Sequence, residues 1–315
     1  MNVCECEQQR FCSTVSRALG EDPAGTATPY RGYLLIEMPL PWPRDMTKSP
    51  FFPGGLTDLL GVAVTQKVRA LFLAPDPDYS RSGHTRVIRL QRPLSGPTTG
   101  FMRDEYLVPH DRITALVESL LQATGAERFA PYRVEAEGVR DLLVCTHGST
   151  DAACGRYGYP LYESLRHGYV DPNLRVWRVS HVGGHRFAPT VLDFPEGRFW
   201  AHLDPGDADA VVRRVGPVAA LRMRYRGWTA LDSPFEQVAE RAVFEREGWA
   251  WVGRPMTSRL EPLEEGRARV EITFEGGGYT IEVEVASTPT TMSTSRGDTM
   301  ETKQYRITQV QKQRS

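Results

Sequence analysis

Residues 140–203 read RDLLVCTHGSTDAACGRYGYPLYESLRHGYVDPNLRVWRVSHVGGHRFAPTVLDFPEGRFWAHL, and the order of elements in this stretch decides the fold. Leu142-Leu143-Val144 is a short buried-strand signal, and Ala153 to His167 carries Tyr159, Tyr162 and Leu165 at helical intervals. From Leu174 to Val179, apolar Leu174 and Val176 interleave with Arg175 and Arg178 around Trp177, as in a half-buried strand. Thr190–Phe194 and Arg198–Leu203 flank Pro195-Glu196-Gly197, a turn signal that predicts a hairpin. Asp207 to Arg214 then opens with acids and closes with arginines, the polarity a helix dipole favours.

The resulting order, β-α-β followed by β-β-α, is the small α/β layout of the thioredoxin-like class, and it is placed at residues 138–216. Upstream, residues 31–135 give nearly the same order. Tyr33–Ile36 is a strand that stops at the prolines Pro39, Pro41 and Pro43. Leu56, Leu59, Leu60, Val64 and Val68 recur at helical spacing, and Ala70–Leu73, Arg86–Leu90 and Tyr106–Val108 are strands. Asp111–Thr124 carries one apolar helical stripe. The fold class is therefore α/β, thioredoxin-like, with two tandem units, the first lacking ligands. Residues 1–30 read as an irregular lead-in with a short helix at Phe11–Leu19. Residues 217–315 read as a helix plus β-hairpin extension: a helix at Pro234–Arg246, a strand at Trp249–Val252, and strands Ala268–Phe274 and Tyr279–Val285 around Gly276-Gly277-Gly278. The Ser/Thr-rich Ser287–Ser295 reads as a flexible loop, and Tyr305–Val310 as a last strand.

Composition narrows the function. The chain has 315 residues, room for about two domains. Its 38 basic and 39 acidic side chains leave a net charge of -1, so the basic field that carries nucleic-acid affinity is absent. No apolar run is long enough for a membrane-spanning helix, and the first ten residues lack a secretory pattern, so the expected location is cytoplasmic. Thiols there stay reduced, and five cysteines are an odd number for a disulfide framework.

The chemistry concentrates in Cys145-Thr146-His147-Gly148, Cys154 and His181-Val182-Gly183-Gly184-His185. Two cysteines and two histidines make a four-ligand set. Cys145 follows a strand, Cys154 starts a helix, and both histidines follow the next strand, so all four face one sheet edge. The paired glycines between the histidines predict a loop that folds closely around something. A thioredoxin-type dithiol needs Cys-x-x-Cys, and eight residues separate Cys145 from Cys154. A Rieske centre needs a second Cys-x-x-His, yet Cys154 is followed by Gly155-Arg156-Tyr157. A structural Cys2His2 zinc site and a [2Fe-2S] cluster both fit the four residues, and spacing does not separate iron from zinc. A thiol oxidoreductase using Cys154 is a further alternative, requiring an exposed thiol of depressed pKa. Cys4, Cys6 and Cys12 read as adventitious thiols, and His84, His110, His167 and His202 show no partner pattern. Gly54-Gly55 and Gly276–Gly278 match no nucleotide-binding fingerprint.

The run Cys-Thr-His-Gly-x-x-Asp-x-x-Cys-Gly over Cys145 to Gly155, with Trp177, Ser-His-Val-Gly-Gly-His-Arg-Phe-Ala-Pro over Ser180 to Pro189, and Phe-Pro-Glu-Gly over Phe194 to Gly197, resembles the sucrase/ferredoxin-like family. The resemblance extends at lower density over most of residues 10 to 255. It implies a thioredoxin-like ferredoxin with a [2Fe-2S] cluster, one-electron transfer and a role in redox homeostasis; the expected partner is a reductase or acceptor protein, and charge and hydropathy leave no nucleic acid or membrane among the expected partners. Carried over, Cys145 and Cys154 match the cysteine ligands, and His181 and His185 the histidine ligands. No carboxylate pair singles out a glycosidase site. Neutral imidazoles in place of thiolates raise the potential of such a cluster, and a free imidazole nitrogen makes that potential pH-dependent. His147 falls outside the ligand motif and reads as a donor to a cluster sulfur or as a loop residue.

Overall fold

A computed structural model describes residues 11–313. Strand β1 (Gly32–Glu37) is buried on both faces, as strands of a covered parallel sheet are, and it pairs parallel with β2 (Val68–Leu73). Helix α2 (Leu56–Thr65) makes the crossover, preceded by the short α1 (Cys12–Ala18). Strand β3 (His84–Gln91) adds antiparallel to β1, β4 (Met102–Pro109) antiparallel to β3, and α3 (Ile113–Gln122) follows. The order across this half is β2-β1-β3-β4.

The second half repeats it. β5 (Arg140–Cys145) and β6 (Leu174–Val179) are parallel and joined through α4 (Ala152–Gly168). β7 (Val191–Phe194) is antiparallel to β5, β8 (Arg198–Trp200) to β7, and α5 (Pro205–Arg213) follows. The order β6-β5-β7-β8 matches strand for strand, which establishes two thioredoxin-like repeats. They join edge to edge where β2 meets β6 antiparallel at Leu73↔Val179. That pairing covers two edges that would otherwise expose unpaired backbone groups.

One face of the first repeat (Leu34, Ile36, Phe72, Val87) packs under α2 and α3, and its other face (Tyr33, Leu35, Leu71, Leu73, Ile88, Leu90) joins the core of the second repeat. A buried ion network also ties the halves: Arg86, Arg103 and Arg175 surround Glu105 and Asp141, and Trp177 donates its indole N–H to Asp141 at 2.7 Å.

Past residue 217 the large sheet continues. β9 (Tyr225–Trp228) adds to β8 as its ninth strand, and α6 (Pro234–Glu247), closed at its start by a Ser233/Glu236 capping box, packs on it. The strand expected at Trp249–Val252 is instead a 3-10 turn, Gly248–Trp251. Its indoles explain the turn: Trp249 donates to the carbonyls of Val215 and Gly216, and Trp251 to Glu240. A second sheet has the order β10 (Met256–Pro262), β11 (Arg267–Phe274), β12 (Gly277–Ser287), β15 (Gln304–Gln313). The Ser/Thr-rich stretch is not a loose loop. It forms the hairpin β13 (Thr290–Met292) and β14 (Thr299–Glu301), whose tip is anchored at Asp151. No helix among the described residues is long and apolar enough to cross a membrane.

Candidate metal centre

The parallel strands of the second repeat end at one edge, and the cysteine and histidine side chains collect there. Cys145 is the last residue of β5, and Cys154 lies in the first turn of α4, whose start is fixed by Asp151 accepting the Ala153 N–H. His181 follows β6 by two residues, and His185 opens a 3-10 turn, His185–Phe187. The Nδ1 of His181 sits 3.9 Å from the Cys145 sulfur and 3.8 Å from the Cys154 sulfur, and these three ligand atoms lie within 4.8 Å of one another. The His185 ring stacks beside His181 with centroids 5.3 Å apart. Both cysteines are buried, while both histidines are part-exposed.

Close backbone approach builds this edge. Gly158 lets α4 lie directly on the end of β5, since a Cβ there would fall 1.9 Å from the Cys145 carbonyl oxygen. Gly183 and Gly184 turn left-handed at φ +96 and +72, and a Cβ on Gly184 would meet the Arg226 guanidinium at 2.7 Å. Arg226 holds that loop by donating to the Gly183 carbonyl and, on its other side, to Thr26. Burial and the neighbouring Arg186 lower its pKa to about 9.

His147 is a buried staple rather than a ligand. Its Nε2 lies 3.0 Å from the Pro43 carbonyl oxygen, which fixes the proton there, so Nδ1 accepts the His181 backbone N–H at 3.2 Å. Burial lowers its pKa. It thus clamps the loop that carries His181 to a loop of the first repeat.

The largest departure from the sequence reading is Cys12. Cys4 and Cys6 lie outside the described residues, but Cys12 is fully buried, 3.5 Å from His185 Nδ1 and 3.7 Å from Asp151. Asp151 stands 3.6 Å from the same imidazole nitrogen and accepts the Ser295 hydroxyl and backbone N–H from the β13–β14 tip. Burial raises the Cys12 thiol to about 11 and lowers the His185 imidazole. Cys12, Asp151 and His185 form a second close group of metal-type donors. Only tertiary contact reveals it, because residues 12, 151, 185 and 295 carry no common spacing. Among the other histidines, His202 is buried behind Phe187, with burial lowering its pKa to about 3.

The two clustered thiols share their protons unequally. The hydrogen bond from Cys154 and the adjacent His181 hold Cys145 well below the usual thiol range, and its proximity pushes Cys154 well above it. A buried, proton-holding Cys154 does not meet the exposed low-pKa thiol that a thiol oxidoreductase requires. Thiolate sulfur and imidazole nitrogen are the soft and borderline donors that suit zinc or an iron–sulfur centre.

A family model described as sucrase/ferredoxin-like matches residues 23–227. Altered inheritance of mitochondria protein 32 of Meyerozyma guilliermondii is 27% identical over 136 residues, covering 39% of this chain and 48% of that protein. Its Debaryomyces hansenii counterpart is 27% identical over 176 residues, covering 50% and 63%. The chain therefore spans about half to under two thirds of the curated relatives it matches. A thioredoxin-like [2Fe-2S] ferredoxin from Aquifex aeolicus aligns at 18% identity over 26% of this chain and 88% of that one, with a TM-score of 0.23. Strand order and register, not that superposition, set the fold.

Proposed function

Since the chain belongs to the sucrase/ferredoxin-like family, we propose that it is a one-electron carrier whose [2Fe-2S] cluster is held by Cys145, Cys154, His181 and His185. The observation that carries this reading is the convergence of two thiols and an imidazole nitrogen within 4.8 Å at the carboxyl ends of β5 and β6, with a second imidazole stacked alongside. The donor set fits the group: two sulfurs and two nitrogens complete the terminal ligands of such a cluster. The cluster, when bound, supplies reversible one-electron chemistry.

The chain's own residues then divide the work. Cys145 is already poised as a thiolate, and Cys154 releases its proton on ligation. Buried β5 and the inner face of α4 exclude water from the sulfur side, whereas the part-exposed histidines face outward, where an electron must enter and leave. The described cysteines are all free thiols, in keeping with a reducing compartment such as the cytoplasm. A partner protein supplies or takes the electron.

Absorption and EPR spectra of anaerobically purified protein, with iron, zinc and sulfide quantified on the same sample, test the reading. Iron and sulfide in equal amounts, with a rhombic signal on reduction that is altered in His181→Ala and His185→Ala, are expected. A colourless protein holding zinc in place of iron would overturn it.

A further inference from the structure

We propose that Cys12, Asp151 and His185 form a second metal site, suited to a divalent ion of the zinc type, beside the centre at Cys145 and Cys154. It stands apart from the electron-carrier reading. Cys12 and Asp151 take no part in that cluster, and His185 enters the second site through Nδ1, which leaves Nε2 for iron.

The observation is a spacing too wide for hydrogen bonds and right for one shared ion. His185 Nδ1 stands 3.6 Å from Asp151 Oδ2 and 3.5 Å from the Cys12 sulfur, and that sulfur stands 3.7 Å from Asp151 Oδ1. An imidazole hydrogen-bonded to this carboxylate would close to about 2.7–3.0 Å. Zinc bonds to sulfur at about 2.3 Å and to nitrogen and oxygen at about 2.0–2.2 Å, so at tetrahedral angles its donors stand about 3.3–3.7 Å apart. The three residues match that figure, and their ligand atoms all lie within 4.8 Å of one another.

Each donor is free to bind. A carboxylate has about four lone-pair positions, and Asp151 uses three. Its Oδ1 accepts the Ala153 N–H and the Ser295 hydroxyl, and its Oδ2 accepts the Ser295 N–H, so the open position is on Oδ2, the oxygen that faces His185. Asp151 is buried and has no arginine or lysine partner among the described residues, a costly state that a bound cation relieves. Ionised Cys12 and Asp151 together balance a divalent ion, the thiol proton leaving to solvent on ligation. Ser295 Oγ lies 3.3 Å from the Cys12 sulfur and bonds Asp151, as the outer partners that orient metal ligands do. Three protein donors leave one corner for water. The competing use of a cysteine beside a histidine is nucleophilic, and it needs an accessible thiol of low pKa. Cys12 is 0% exposed and burial pushes it up to about 11. An ion here fastens α1, the start of α4 and the turn that carries His185, with the β13–β14 tip closed over them.

The test is zinc binding by the whole chain, followed by metal analysis and by X-ray absorption at the zinc edge, which counts sulfur ligands. The Cys145→Ser/Cys154→Ser double variant removes the thiols of the first centre. It should still hold about one zinc per chain, with a single sulfur in the zinc shell. Adding Cys12→Ser should weaken zinc binding by more than the about 10–100-fold that loss of an outer partner costs. In the chain loaded with its cluster, Cys12→Ser alone should abolish zinc and leave the iron and sulfide contents in place. Should the double variant fail to fold, the zinc shell of the cluster-loaded chain decides: one sulfur supports the site, and two sulfurs place zinc between Cys145 and Cys154 and overturn it. No zinc in a folded double variant, or binding that survives Cys12→Ser, would also overturn it. Iron and sulfide judge the carrier reading separately. A chain with neither, but with one-sulfur zinc that depends on Cys12, loses the carrier and keeps this site.

Discussion

Gly158→Ala isolates the packing that brings the two thiols together. In α4, a helix interior, the change gains about 1 kcal/mol of intrinsic propensity. The same methyl would sit 1.9 Å from the Cys145 carbonyl oxygen and 3.0 Å from its carbonyl carbon. A carbon–oxygen contact needs about 3.3 Å, so α4 must retreat by about 1.4 Å. Overpacking of this kind costs about 1–3 kcal/mol, which leaves the fold slightly destabilised at most by the difference of the two. The centre suffers more than the fold. Cys154 rides on α4 and Cys145 on β5, and a metal constellation tolerates displacements of only about 0.5 Å. The expected result is a thermal midpoint lowered by several degrees together with loss of most bound iron and of the visible spectrum. Gly61→Ala is the control, because a Cβ there meets nothing within 4 Å on α2; it should stabilise by about 0.5–1 kcal/mol and keep the colour. A Gly158→Ala protein with full iron content and an unshifted spectrum would refute the claim that this glycine sets the distance between the thiols.

Three further outcomes are expected. Burial pushes the Glu105 and Asp141 carboxyls up, but Arg175 with Arg86 and Arg103 outweighs it and holds both below their ordinary values. Their stabilisation is thus present above the unfolded carboxyl range of about 4 and lost as pH falls through the lower folded values. Thermal midpoints should hold level near neutrality and drop in acid, and Arg175→Met should cost about 3–5 kcal/mol at pH 7 by stranding the carboxylates. Asp151→Ala removes a helix cap, two bonds to the β13–β14 tip and the carboxylate beside His185, so metal affinity should fall about 10–100-fold, whereas Asp151→Asn should retain the cap and most of the fold, as melting and metal titration will check. His147→Ala strands the His181 amide and the Pro43 carbonyl, at about 1–3 kcal/mol, and should be seen as faster hydrogen exchange at His181.

How much of this was legible depends on whether the signal was local. The strands of both repeats were visible because β1 and β5 carry continuous apolar runs, and the four donors were visible because Cys145 closes a strand, Cys154 opens the helix that follows, and both histidines lie in the loop after the next strand. The hairpin β11–β12 announced itself by strict alternation around three glycines. Three features had no local signal. The turn at Gly248–Trp251 depends on acceptors supplied by residues 215, 216 and 240. The β13–β14 hairpin is composed like a linker and is ordered by bonds to Asp151, more than 140 positions away in sequence. Cys12 sits in a short helix of weak pattern, and its meaning comes only from its contacts with Asp151, His185 and Ser295.

The repeat itself explains why one half presents metal-type donors at its strand ends and the other does not. Glu37 ends β1 as Cys145 ends β5, each the sixth residue of its strand. In the second repeat the loop after β6 brings His181 to the Cys145 sulfur. In the first, the loop after β2 brings Ser80 to Glu37, whose other oxygen accepts the Arg86 backbone N–H. The same juxtaposition is thus closed by a carboxylate and a hydroxyl, hard oxygen donors already satisfied within the protein, where the second repeat presents thiols and imidazoles. The first repeat is left to position the second. It supplies the Pro43 carbonyl that orients His147, and Arg69, which bonds the backbone of His181 itself. The first repeat thus forms a wall against which the loops carrying His147 and His181 are fixed.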